Sequence, residues 1–165
     1  MKSVLGLPGR NPETEAWMSE LLSAAGCGDA EVARYAHWQE GGEPDVAREA
    51  SGQSLSGRRL VVAKSMGTMV LLAAAKRDHP ERAVLIGTPI KAYSEAQIEA
   101  LKTLAARLPC LFIQQSEDFT GSAALLRAVL GEASAFEEVP GSDHVYADVQ
   151  ALGALIRNWR ATHDG

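Results

Sequence analysis

The feature that most constrains this chain is an alternation of two kinds of segment along its whole length. Short apolar or β-branched runs are separated by longer stretches rich in Ala, Leu and Glu. Such alternation favours a parallel sheet whose crossover connections are helices packed on its faces. Strands are expected near Ser3–Leu7, Val32–His37, Leu60–Ala63, Ala83–Ile86, Cys110–Gln115 and Ala135–Val139. Helices are expected near Pro12–Ala25, Pro44–Leu55, Met66–Asp78, Glu95–Leu108, Ser122–Leu130 and Tyr146–His163.

Local chemistry supports several of these helices. Asn11-Pro12-Glu13 reads as a cap, a proline at the first helical position and an acid favoured by the helix dipole. Ser94-Glu95-Ala96-Gln97 has the form of a capping box. Leu152, Leu155, Ile156 and Trp159 recur at steps of three and four, giving the last helix one apolar face. The Gly/Ser-rich stretches Gln39–Pro44 and Ser51–Gly57 read as surface loops. No repeat or low-complexity tract divides the 165 residues, so a single domain over 1–165 is expected.

Composition narrows the function classes. The formal net charge is -5 and no Lys/Arg-rich run extends beyond a pair such as Arg58-Arg59, which argues against a nucleic-acid or anionic-membrane surface. Cys27 and Cys110 lack zinc-like spacing and read as reduced, partly buried thiols. The N-terminus runs straight into Gly and Pro without the apolar stretch of a signal peptide, and no apolar run approaches the ~20 residues of a membrane span. A soluble, cytoplasmic protein with no membrane span is the expectation.

Four segments carry chemistry. Leu60–Ala63 feeds through Lys64-Ser65-Met66-Gly67 into the helix-forming run Met69–Ala75, the form of a strand-to-helix elbow with Ser65 as nucleophile. Such a turn crowds its backbone, so positions two before and two after the serine must be small, as Ala63 and Gly67 are. The second segment is Leu7-Pro8-Gly9-Arg10-Asn11, at the exit of the first strand. An acyl-transfer site needs two backbone N–H donors aimed at the oxyanion. Met66 supplies one; Pro8 has no N–H, which leaves Arg10 as the expected second donor and Gly9 as the alternative. The third segment, Leu111–Asp118, is a buried strand ending in two acids, of which Asp118 rather than Glu117 is assigned to orient an imidazole. The fourth, Val139–Tyr146, places His144 on a loop between the last strand and the last helix. Asp143, its neighbour, reads as a loop or capping residue.

These groups arrive in the order Ser, Asp, His, each at a strand's C-terminal end, where open α/β sheets bind ligands. On these residues the chain resembles the α/β-hydrolase superfamily over nearly its whole length, and within it the small members with a Lys-Ser-Met-Gly elbow. The resemblance implies a three-layer α/β sandwich with a six-stranded parallel sheet in the order 2-1-3-4-5-6. It also implies Ser65 as nucleophile, Asp118 as acid and His144 as base. The chain departs from the pattern in three places. It lacks the antiparallel N-terminal strands of larger members, Ala63 stands for the usual glycine, and Pro8-Gly9 stands for the usual His-Gly.

The expected activity is therefore hydrolysis of a carboxylic ester, or a thioester or amide, through an acyl-enzyme, with a small-molecule acyl substrate and neither metal nor organic cofactor. Gly9, His37, Trp38 and Lys64 are candidate substrate-lining residues. The segment 87–109 leaves room for only a minimal lid, which predicts an open, shallow site. A binding or scaffolding protein that keeps the triad by descent is the alternative. A phosphate-binding loop ending at Lys64-Ser65 is excluded, because Arg58 and Ala63 occupy its two glycine positions.

Overall fold

The computed structural model describes residues 1–132 and 134–163. Its framework is one six-stranded parallel sheet in the order β2-β1-β3-β4-β5-β6, as the sequence predicts. The strands are β1 (Val4–Leu7), β2 (Ala30–Val32), β3 (Leu60–Lys64), β4 (Ala83–Ile86), β5 (Cys110–Gln115) and β6 (Ala135–Val139). β1, β3, β4 and β5 are buried along their whole lengths. Continuous apolar runs are what a parallel strand covered on both faces requires.

Helices form the two outer layers: α1 (Glu13–Ala24), α2 (Ala36–Glu40), α3 (Val46–Ser51), α4 (Met66–Ala74), α5 (Glu95–Arg107), α6 (Ala123–Leu130) and α7 (Val149–Ala161). Met18, Leu21 and Leu22 of α1 and Leu152, Ile156 and Trp159 of α7 share one core with Val62, Val84 and Ile113. Val70 and Leu71 of α4, Leu101 and Leu104 of α5 and Leu126 of α6 share the other with Val61, Leu85 and Phe112. The apolar face expected on the last helix is thus turned to the sheet. The capping box at Ser94 and Gln97 is present with both of its hydrogen bonds.

The structure corrects three local readings. The second strand is Ala30–Val32 rather than Val32–His37, and the chain beyond Tyr35 turns into α2. The Ala36 N–H donates to both carboxylate oxygens of buried Glu49, at 2.9 Å each, so a distant acid starts this helix. At α1, Pro12 itself is the N-cap and the Asn11 side chain makes no capping bond. The third helix is confined to Val46–Ser51, six residues instead of the twelve expected over Pro44–Leu55.

Register brings the strand ends to one edge. Leu7 lies beside Ala63, Lys64 beside Ile86, Ile86 beside Ile113 and Gln115 beside Val139. The segments leaving β1, β3, β4, β5 and β6 therefore emerge together. They carry Gly9 and Arg10, Ser65, Gly87, Asp118 and His144. No helix of the described residues is long and apolar enough to cross a membrane.

Candidate active site

Ser65 sits between the last residue of β3 and the first of α4 with φ 53° and ψ -117°. A non-glycine residue held there costs about 1–3 kcal/mol and persists only where its surroundings fix it. The fixing is visible. The Ser65 carbonyl accepts from Thr68 N at 2.8 Å and from Thr68 Oγ1 at 2.7 Å, and Tyr93 Oη lies 2.6 Å from that hydroxyl. Small neighbours are obligatory, because a Cβ on Gly67 would lie 2.0 Å from the Leu7 carbonyl oxygen. Ala63 is fully buried.

The elbow points the serine at the histidine. Ser65 Oγ lies 2.7 Å from His144 Nε2, and His144 Nδ1 lies 2.8 Å from Asp118 Oδ2. The three residues assigned from sequence thus form one connected hydrogen-bond chain. Glu117, the rejected acid, is exposed. Asp118 is 2% exposed and is not needed as a cap for α6, because Ser122 accepts from Leu125 N in that role. Burial by itself would raise the Asp118 pKa. Hydrogen bonds from His144, from the Thr120 hydroxyl and N–H, and from Tyr146 outweigh it and hold the carboxyl at about 2. The carboxylate is therefore an acceptor only, which puts a proton on His144 Nδ1 and leaves Nε2 free to accept from Ser65.

The loop that carries His144 depends on residues the sequence reading passed over. His144 has φ 64° and Tyr146 φ 57°, so neither lies in ordinary backbone. Gln115, at the end of β5, accepts the His144 N–H at 2.8 Å and donates from Nε2 to Asp143 Oδ1 at 3.0 Å. Its own N–H donates to the Tyr146 hydroxyl at 2.7 Å, and that hydroxyl donates to Asp118 Oδ2 at 2.8 Å. Trp17 Nε1 donates to the Tyr146 carbonyl at 2.9 Å. The available signal was Gln114-Gln115, two amides ending an apolar strand, since buried amides must find partners. Asp143 points away from the triad, accepting from Gln115 and Val145 N. Gly87 has φ +60° and packs so closely that a Cβ there would lie 3.1 Å from His144 Cε1. The same Cβ would lie 2.9 Å from Tyr146 Cε2, so a side chain at 87 would press first on the Tyr146 ring and then on the imidazole.

The loop after β1 lies on the other side of the serine. A Cβ placed on Gly9 would sit 3.8 Å from Ser65 Cβ. Among the described residues, the N–H groups of Met66, Gly9 and Arg10 have no acceptor, so both second-donor candidates stay available. The N-terminus of α4 adds its partial positive charge at Ser65. The loop is gripped by its carbonyls. Tyr35 Oη donates to Pro8 O at 2.7 Å, and Trp38 Nε1 donates to Arg10 O at 2.7 Å, with His37 Nε2 2.8 Å from the same oxygen.

Of the four candidate lining residues, only the Gly9 backbone is brought against the Ser65 side chain. His37 and Trp38 lie on α2, and His37 Nε2 and Trp38 Nε1 are engaged with the Arg10 carbonyl. Lys64 is 5% exposed, and its Nζ donates to the His144 carbonyl at 3.0 Å rather than facing the cleft. Between β4 and α5 only a single 3-10 turn, Ile90–Ala92, stands where a lid would begin. Open surface hollows, one of about 480 Å³ beside Cys27 and one of about 330 Å³ between α4 and α5, lie away from Ser65. No cluster of His, Cys, Asp and Glu among the described residues could hold a metal ion.

No protein-family model and no curated protein sequence matches the chain. Solved structures do. One from Xanthomonas campestris pv. campestris, described as a hydrolase of the α/β superfamily, aligns with TM-score 0.66 at 16% identity over 96% of each chain. A second from Xanthomonas campestris, described as an α/β serine hydrolase without lid, gives TM-score 0.67 at 14% identity over 98% of this chain and 83% of its own. The thioesterase domain of the curacin biosynthetic pathway gives 0.62 at 11% identity over 94% and 90%. At these identities the likeness is one of fold: the chain has the α/β-hydrolase fold.

Proposed function

We propose that this protein is a serine hydrolase that cleaves a small carboxylic ester, with thioesters and amides open to the same chemistry. The observation that carries the reading is the unbroken chain from Ser65 Oγ to His144 to Asp118, 2.7 and 2.8 Å, built on a strained elbow. In the reaction, His144 Nε2 takes the Ser65 proton as Oγ attacks the carbonyl carbon. The imidazolium so formed is stabilised by ionised Asp118 through Nδ1–H. The negative oxygen of the tetrahedral intermediate is met by the Met66 N–H and by that of Arg10, or else of Gly9. His144 then protonates the leaving group, and an acyl-Ser65 ester remains. Water, deprotonated by His144, releases the acid.

The short connection between β4 and α5 supports small or solvent-exposed acyl groups over long lipids. The structural relatives described as a hydrolase and a thioesterase are consistent with acyl transfer. The test is a panel of short-chain p-nitrophenyl esters and thioesters followed by stopped flow. The wild type is expected to turn over at least one with an acyl-enzyme burst, and Ser65→Ala to lose both burst and turnover. Burst without turnover across the panel would favour the binding-protein alternative, and neither burst nor turnover in folded protein would overturn the reading.

A further inference from the structure

Lys64 immediately precedes Ser65, and its ammonium is spent on the histidine loop. Nζ donates to the His144 carbonyl at 3.0 Å and lies 5.7 Å from the centroid of the Trp17 ring and 5.2 Å from that of Tyr146. It has no ion pair among the described residues. Burying a cation is costly unless its bonds return the cost, and methionine would fill the same space without it. The bond it makes falls on a peptide that needs restraint, since His144 has φ 64°. Gln115 of β5 grips the N–H of His144 and Lys64 of β3 grips its carbonyl. The base is thereby tied to the strand that carries the nucleophile.

We propose that Lys64 is a positioning residue for the base: its charged amine, by holding the His144 carbonyl, keeps the imidazole in line with Ser65 Oγ. The proposal rests on the serine-hydrolase reading and adds a second connection between nucleophile and base. A charged donor bonds about twice as strongly as a neutral one, so the grip depends on the Lys64 proton. Burial pulls the Lys64 pKa down to about 8, with Asp118 and Asp143 pulling it back up. The groups that face it are Asp118 from the β5–α6 loop, Asp143, His144 and Tyr146 from the β6–α7 loop, and uncharged Trp17 from α1. Both acids are held below the ordinary carboxyl range and Tyr146 is pushed above the ordinary phenol range, so these three keep their charge states through mild alkali.

The pH dependence separates positioning from mere structure. An unfolded lysine titrates near pH ~10.4, so between about pH 8 and that value the unfolded chain binds more protons than the native one. Lys64 therefore makes the fold more stable as pH rises through this window. Catalysis should move the other way as the grip weakens.

The experiment follows p-nitrophenyl acetate hydrolysis and fluorophosphonate labelling from about pH 6 to about pH 10 in wild type, Lys64→Met and Lys64→Arg. For the wild type we expect kcat to fall several-fold through about pH 8, with KM nearly constant. Lys64→Met should show a kcat about tenfold lower at neutral pH without that step, as befits loss of one charge-assisted bond. Lys64→Arg, charged throughout, should also lack the step. Wild-type kcat in Lys64→Met, or the same alkaline step in it, would overturn the proposal. If the wild type neither labels nor hydrolyses, the hydrolase reading falls separately. Amide exchange then decides on Lys64: faster exchange over residues 141–146 in Lys64→Met, with β5 unchanged, supports the grip, and unaltered exchange refutes it.

Discussion

The loop that carries His144 and the loop that carries Arg10 leave the same sheet edge and face each other across Ser65, but they are fastened differently. The histidine loop is tied by buried Lys64 of β3 and Gln115 of β5 and by half-buried Trp17 of α1, and Tyr146 of the loop itself closes onto Asp118. Breaking one of these bonds strands a buried polar partner, which costs about 1–3 kcal/mol. The β1 loop is held by Tyr35 and by two rings of α2, a helix of five residues that depends on Glu49 for its start. So short a helix has little stability of its own. An exposed pair between Arg10 and Glu43, at 2.8 Å, adds little. The comparison teaches that the His144 loop is tied directly to the sheet and α1, whereas the Arg10 loop, apart from buried Tyr35, rests on two partly buried rings of a five-residue helix and is the half that mutations can adjust more easily.

The comparison breaks first, and most heavily, at Asp118. Asp118→Asn should lower kcat by about 10⁴, because the amide can hold His144 in the wrong tautomer; steady-state kinetics with folded protein checks this. The same carboxyl links the site to stability. Its native pKa of about 2 lies below the unfolded value, so its contribution is complete above pH ~4 and is lost as pH falls toward about 2. The difference amounts to about 2 kcal/mol, and acid denaturation of Asp118→Asn should lack that part of the slope.

Next comes the oxyanion loop, where the backbone rather than the side chain should matter. Arg10→Pro removes the N–H and should cost about 10²-fold in kcat, while Arg10→Ala should stay within about twofold. Equal effects would move the donor to Gly9. On the base side, Tyr146→Phe removes one of the donors to Asp118 and should lower kcat about tenfold. The smallest effect is expected from Trp38→Phe. His37 still reaches the Arg10 carbonyl, so a loss of about twofold to fivefold is expected, without a shift in the pH profile.

β4, β5 and β6 were legible to the residue, as was the elbow; β4 and β5 are buried strands that read as apolar runs with a sharp end, whereas β6 is a partly exposed edge strand, Ala-Phe-Glu-Glu-Val, bounded by Pro140-Gly141. The second strand was misread for a physical reason. Val32–His37 is a short run dominated by apolar and aromatic residues, as a strand would be, but Tyr35 is pulled to Pro8 and Ala36 to Glu49, contacts with no local sequence mark. In the site, Ser65, Asp118 and His144 were readable from their order at strand ends. Tyr146, Gln115 and Thr120 were not, since their roles depend on a loop backbone with positive φ at His144 and Tyr146. Lys64 stood only as a candidate lining residue, because its place beside Ser65 was visible whereas the direction of its side chain was not.

The measurement that bears most directly on the central claim is mass-spectrometric mapping of the native protein after exposure to a fluorophosphonate. One adduct on the peptide containing Ser65, absent in Ser65→Ala and formed far more slowly in His144→Ala, is the predicted result. Folded wild-type protein that carries no adduct, or carries it on a serine other than Ser65, would contradict the account.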